Sequence, residues 1–153
     1  MNPTPSKPTF DQEVRRYAYD QVMQTGVAPT IAATASALAS TPAEIRAAFQ
    51  RLAETRMLVL QRDTGEILMA NPFSAVPTPF LAQVDGRSYY GNCIWDVLGI
   101  PAMLGRDALI QTSCGDCGTA MPLRVINGTL EPAAGLVHFA VPAARWWADI
   151  AFS

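Results

Sequence analysis

Apolar residues recur at helical spacing from Phe10 onward: Val14, Tyr17, Ala18 and Val22 share one face, and Gly26 ends the run. Residues 30–39 read as a second, short Ala-rich helix. Thr41-Pro42-Ala43-Glu44 is a strong start signal for a third helix. Thr41 can cap it, Pro42 suits its first position, and Glu44 can complete a capping box. Ile45, Phe49 and Leu52 then lie at i, i+4 and i+7, which predicts a core-facing stripe. Residues 57–60 and 66–69 flank Arg62-Asp63-Thr64-Gly65 and read as a hairpin. Three helices followed by a hairpin is the order of a winged helix-turn-helix, so residues 10–70 are expected to form a winged-helix-like domain. The polar, proline-rich residues 1–9 read as a flexible arm.

Residues 71–79 carry Pro72, Pro77 and Pro79, a density that opposes a helix or a central strand and marks a linker. Beyond it the pattern shortens. Residues 80–84 and 87–90 flank Asp85-Gly86, a hairpin signal. A helix is expected after Asn92, then strands over 108–112, 121–125 and 136–141, then a final helix from Pro142. The expectation is an α+β chain: the winged-helix-like module, then a mixed α/β domain over 80–153 with a small, mainly antiparallel sheet.

At 153 residues the chain can bury a real core, and half of its residues are hydrophobic, which argues against disorder. No apolar run approaches the roughly 18 residues of a membrane helix. The N-terminus lacks an apolar signal core, so a cytoplasmic location is expected. Residues 1–70 carry seven basic and seven acidic side chains, and residues 71–153 carry four and six. Neither half has the basic excess of a nucleic-acid binder, so no nucleic-acid or membrane partner is expected. The third helix offers Arg46, Arg51 and Arg56, but Glu44 and Glu54 accompany them.

Three cysteines and one histidine carry the soft-ligand chemistry. In Gly91-Asn92-Cys93-Ile94-Trp95-Asp96, a thiol and a carboxylate stand three apart at the expected start of a helix, and residues so spaced share a face. Asn92 would cap that helix and put Cys93 in its first turn, where the helix dipole eases ionisation of a thiol. Pro101 would kink or end it. Cys93 reads equally as a small buried hydrophobe. Cys114-Gly-Asp-Cys117-Gly resembles half a zinc knuckle, yet a structural zinc site takes four ligands and no second Cys-x-x-Cys exists. Cys93 and His138 could complete a Cys3His set only with atypical spacing, so no structural metal and no cofactor is expected. His138 and the tryptophans Trp95, Trp146 and Trp147 read first as packing residues.

The block Tyr90-Gly-Asn-Cys93-Ile-Trp-Asp96-Val-Leu-Gly-Ile-Pro101-Ala-Met-Leu-Gly105-Arg106 resembles the core of the organomercurial (alkylmercury) lyases, with cysteine and aspartate three apart and a proline and a glycine in similar register. The likeness continues through Ser113-Cys114-Gly-Asp-Cys117-Gly118, and the winged-helix-like start and Asn71-Pro72-Phe73-Ser74 fit the same plan. The resemblance implies protonolysis of a carbon–mercury bond. Cys93 would bind mercury as a thiolate. Asp96 would accept the thiol proton and then protonate the departing carbon, with external thiols as co-reactants.

It also implies a second catalytic cysteine just after a Trp…Asp-Ile-like segment. Here Trp147-Ala-Asp149-Ile150-Ala-Phe152-Ser153 reaches that region, and Ser153 falls at or just before the expected thiol. Ser153, a poorer mercury ligand, is one substitute; Cys114 and Cys117 are auxiliary thiols. Two other readings stay open. One is a homologue using Cys93 as nucleophile and Asp96 as acid/base on a small non-mercury electrophile. The other is a winged-helix regulator or metal-binding sensor.

Overall fold

The computed structural model describes residues 8–132 and 134–150, and the chain divides into two compact units, Met1–Pro77 and Thr78–Ser153. In the first unit, α1 (Phe10–Thr25), α2 (Ile31–Ala37) and α3 (Pro42–Glu54) precede β1 (Val59–Leu60), β2 (Ile67–Ala70) and β3 (Phe73–Ser74). Thr9 and Thr41 each close a full capping box, with Gln12 and Glu44 respectively, so both ends satisfy their orphan N–H groups from the local sequence. Thr9, placed by the sequence in the arm, is thus the cap of α1; the rest of that arm up to Lys7 lies outside the described residues. Gly26, in the left-handed conformation at φ 77°, terminates α1.

The expected stripe of α3 is buried: Ile45, Phe49 and Leu52 join Val14, Ala18, Ile31, Leu58 and Ile67 in one apolar cluster. β1 and β2 form the expected antiparallel hairpin. A short strand falls within the expected linker over 71–79. Phe73 and Ser74 pair with Ala70 and Met69 as an extra antiparallel strand. Two residues suffice for that pairing, and the prolines at 72, 77 and 79 fall outside it.

In the second unit, β4 (Leu81–Val84), β5 (Arg87–Gly91), α4 (Ile94–Leu104), β6 (Ala108–Gln111), β7 (Leu123–Ile126) and β8 (Thr129–Glu131) are followed by a short 3-10 helix, Ala143–Ala148. The strands run in the order β5-β4-β6-β7-β8, every neighbouring pair antiparallel. Asp85 and Gly86 both take positive φ (49° and 78°), the turn that a two-residue hairpin demands. Strand alternation aligns the buried side chains across the sheet: Tyr89, Ala82, Ile110 and Leu123 are successive cross-strand partners. α4 lies against β4, β5 and β6 and buries Val97 and Ile100.

One expectation for this unit is corrected. Residues 136–141 form no strand; Leu136 is fully exposed. Asn127-Gly128 instead turns the chain back at φ 50° and 75°, so Thr129–Glu131 takes the place beside β7. Pro101 lies two turns into α4, and the helix runs on to Leu104 before Gly105 caps it at φ 62°. The expected final helix is present as the short 3-10 segment Ala143–Ala148, with Pro142 before it. Among the described residues, no helix is long and apolar enough to cross a membrane.

Candidate functional site

The site begins where β5 hands over to α4. Gly91 closes the strand, its N–H donating to the Phe80 carbonyl (2.9 Å) and its carbonyl accepting from the Thr78 hydroxyl (2.5 Å). The first turn of α4 then passes so close that a Cβ on Gly91 would stand 2.6 Å from the Val97 nitrogen. Only glycine admits that approach. Thr78 and Gly91 were not singled out by sequence reasoning; a glycine directly before a helix start was the available signal for the second, and nothing local marked the first.

Cys93, not Asn92, is the N-cap residue: its backbone is extended (φ −145°, ψ −177°) and its carbonyl accepts the first helical hydrogen bond, from Val97 N–H at 3.0 Å. The assignment is corrected by one position, and the reason lies in Asp96. With Cys93 at the cap, Asp96 sits at N3, where its carboxylate reaches back to the Cys93 backbone N–H as the acidic half of a capping box does. The Asn92 side chain, free of capping duty, donates to the same carboxylate. The Cys93 thiol donates to Asp96 Oδ2 with an S···O distance of 3.6 Å. The spacing of three therefore does bring thiol and acid together, through cap geometry rather than through two positions inside the helix.

The electrostatics also differ from expectation. Burial pushes the Cys93 thiol above its ordinary value, and the adjacent Asp96 charge adds to the rise; the N–H dipoles of Asp96 and Trp95 pull the other way without reversing it. The helix terminus does not make this thiol acidic, because half-burial beside a carboxylate outweighs it. Burial likewise raises Asp96, against the lowering effect of the hydrogen bonds from Asn92 and Cys93. Both groups hold protons more tightly than they would in water. That suits a pair that passes one proton between them.

Trp95, expected to pack, is 62% exposed and meets Phe139 edge-on (6.5 Å between ring centres); Phe139 in turn leans on Trp146 (4.9 Å). Trp146 donates its indole N–H to the Val141 carbonyl (2.8 Å).

Cys114 and Cys117 stand on the turn that follows β6, closed by Gly118 N–H to the Cys114 carbonyl (2.9 Å) and Cys114 N–H to the Thr119 carbonyl (2.8 Å). Cys117 is exposed, and hydrogen bonds from Thr119 and from Cys114 lower its pKa to about 7. All three cysteines are free thiols. The turn borders a cavity of about 780 Å³, lined by Ile94 and Leu98 of α4, by Cys114 and Met121, and by Leu136 and His138. Among the described residues, no group of three or more His, Cys, Asp or Glu is placed to hold a metal ion, so the Cys3His arrangement is not formed. Ser153 lies outside the described residues.

The family model for MerB, alkylmercury lyase, matches residues 73–153. An alkylmercury lyase of Streptomyces lividans is 33% identical over 127 residues, covering 81% of this chain and 57% of that protein. One of Staphylococcus epidermidis is 36% identical over 72 residues, covering 44% of this chain and 32% of that one. The chain thus spans little more than half the length of the first relative and about a third of the second. Among solved structures, the mercury-bound form of MerB2 superposes with a TM-score of 0.64 over 80% of this chain and 59% of that chain, at 23% identity, which shows a shared fold. The matched segment is more than half of the sequence and contains both the Cys93–Asp96 pair and the Cys114–Cys117 turn, and the chain belongs to the alkylmercury lyase family.

Proposed function

We propose that the protein cleaves carbon–mercury bonds of small organomercurials by protonolysis, with Cys93 and Asp96 as its catalytic residues. The observation that carries this reading is the hydrogen bond between the Cys93 thiol and the Asp96 carboxylate, two groups whose proton affinities burial has raised together. Mercury is soft and prefers thiolate sulfur. When it bonds to Cys93, the thiol proton leaves, and Asp96 is the acceptor at 3.6 Å. Asp96 then returns that proton to carbon: the carbon–mercury bond breaks, a carbon–hydrogen bond forms, and the hydrocarbon departs. Mercury(II) stays on sulfur. A second thiolate on mercury weakens the carbon bond further. An external thiol fills that role in this reading and afterwards carries the metal off, which fits a reducing cytoplasm.

The helix-rich first unit serves as a winged-helix-like module without a DNA-reading role. Its third helix has two of its arginines engaged inside the unit: Arg46 donates to the Thr64 carbonyl (2.7 Å), and Arg51 pairs with Asp11. The readings with Cys93 as a pre-activated nucleophile draw no support from a thiol whose pKa burial has raised.

The test is release of hydrocarbon from a simple alkylmercury salt, followed by headspace gas chromatography in excess external thiol. The 153-residue chain is expected to release it faster than thiol alone, and Cys93→Ser and Asp96→Ala each to abolish the difference. No release above the thiol background, or release unchanged by both substitutions, overturns the proposal.

A further inference from the structure

The Cys114–Cys117 turn has a construction that the proposed reaction at Cys93 does not use. Its two thiols stand three residues apart on a closed hairpin turn that the Ser113–Ala120 bridge and the Met121 N–H to Thr112 carbonyl bond (2.8 Å) tie off. The Gly118 N–H bond to the Cys114 carbonyl folds the turn back on itself, and Gly118 sits at φ 70°, a left-handed conformation that lets it do so. The turn thereby sets Cys114 and Cys117 at its two shoulders, three residues apart. One shoulder, Cys117, is exposed to solvent; the other, Cys114, faces the 780 Å³ cavity. Gly115, between them, has nothing within 4 Å of where a side chain would start, so the turn's outer side is open.

We propose that Cys114 and Cys117 form a two-thiol chelate for a soft, two-coordinate cation, specifically inorganic mercury(II), separate from the Cys93 site. Two sulfur donors with no third ligand exclude the tetrahedral ions. Zinc needs four ligands, and among the described residues none is grouped to complete the set. Mercury(II), by contrast, is satisfied by two thiolates. Binding is a ligand exchange: two sulfur–mercury bonds form, the two anions that accompanied the metal leave, and each thiol that arrives protonated gives its proton to solvent. Cys117, the exposed thiol, is the entry ligand, and Cys114, on the cavity lining, closes the chelate. The site does not depend on carbon–mercury cleavage, so it stands or falls apart from the function proposed above.

The experiment uses the 153-residue chain carrying Cys93→Ser, which leaves these two thiols as its only ones. It is loaded with mercuric chloride, then passed through a desalting column in buffer containing a competing monothiol. The expected result is one mercury retained per chain and loss of both thiols from Ellman titration. Adding Cys117→Ser, on an exposed position, is expected to weaken retention by about 10²-fold or more, the usual gain of a second, tethered contact. Zinc chloride is expected to wash through. Two mercury ions per chain, retention unaffected by Cys117→Ser, no retention at all, or zinc held as firmly as mercury would each overturn the chelate. Tryptophan fluorescence of the double variant verifies that the unit is folded, since all three tryptophans lie between residues 78 and 153.

Discussion

Replacing Gly91 by alanine tests the whole construction of the Cys93–Asp96 site with one methyl group. The new Cβ would lie 2.6 Å from the Val97 nitrogen and 2.9 Å from both its Cα and Cβ. Two of those three atoms are backbone in the first turn of α4, so no side-chain rotation relieves the clash. Restoring an ordinary contact of 3.4 Å moves the turn away from β5 by about 0.8 Å. Gly91 has no positive φ, so alanine meets no strain in its own backbone and gains some unfolded-state entropy. Overpacking of this kind costs about 1–3 kcal/mol, leaving a net loss of about 1–2 kcal/mol after that entropic gain.

The expected readout is a lower urea midpoint by tryptophan fluorescence, which reports this unit alone. The displaced turn carries Asp96, the proposed proton donor, and misplacing such a group by about an ångström costs up to about 10²-fold, so on that proposal hydrocarbon release should fall by about 10- to 100-fold. Gly115→Ala is the control. It meets open space at an unstrained φ and should change stability by no more than about 0.5–1 kcal/mol, toward greater stability. A Gly91→Ala chain as stable as its parent would refute the claim that strand and helix touch through this glycine.

The remaining predictions concern the same physics elsewhere. Phe49, fully buried in the first unit, should cost about 3–5 kcal/mol as Phe49→Ala, read by far-UV circular dichroism because that unit has no tryptophan. Thr41→Ala removes the acceptor of the Glu44 N–H (3.2 Å) and should cost about 1 kcal/mol in the same assay. Asp11→Asn breaks the exposed pair with Arg51 (2.6 Å); the loss should be about 0.2–1 kcal/mol and shrink in high salt. Asp96 has a folded pKa raised by burial, so the stability it contributes is present below the unfolded carboxyl value and is lost as pH rises through the folded one. Asp96→Asn should therefore be more stable than the parent at neutral pH and lose that advantage on acidification, as urea titrations across pH would show.

Much of the fold was legible because local signals carry it. Thr41-Pro42-Ala43-Glu44 and the apolar stripe after it fix α3 without help from distant residues, and Asp85-Gly86 fixes its hairpin in the same way. Asn127-Gly128 was an equally strong turn signal. It starts β8, although the alternating Leu-Val-His-Phe stretch after residue 135 suggests a strand there instead. Alternation alone says which face a strand would bury; it does not say that a pairing edge is free, and β7 had already been met by β8. The Cys93–Asp96 pair was legible as a spacing but not as a geometry. Asn is the better cap in isolation. At N3, however, Asp96 accepts from the Cys93 N–H and from Asn92, so a carboxylate three residues on decides the register.

The surroundings of the thiol, more than that shift of one residue, decide what the pair can do. A thiol exposed at a helix start would ionise early and wait as a thiolate, its proton already lost to water. Cys93 at the cap, half-buried against an acid, keeps its proton at neutral pH and shares it with Asp96. In the proposed reaction the proton needed by carbon is then the one that mercury displaces from sulfur, delivered by ligation rather than taken from solvent. An early-ionising thiol would bind the metal as well but leave Asp96 to find a proton elsewhere, and at neutral pH an ordinary carboxyl has none to give. The two raised pKa values are thus one device, and they are separable by experiment. Asp96→Asn should still let Cys93 take up an alkylmercury cation, releasing the thiol proton to the buffer, while hydrocarbon release stops. Proton release on binding, measured in weakly buffered indicator dye, should rise in the variant relative to the parent. Equal proton release from both would mean that Asp96 never receives the thiol proton, and the coupling would be refuted even if the protein cleaved its substrate.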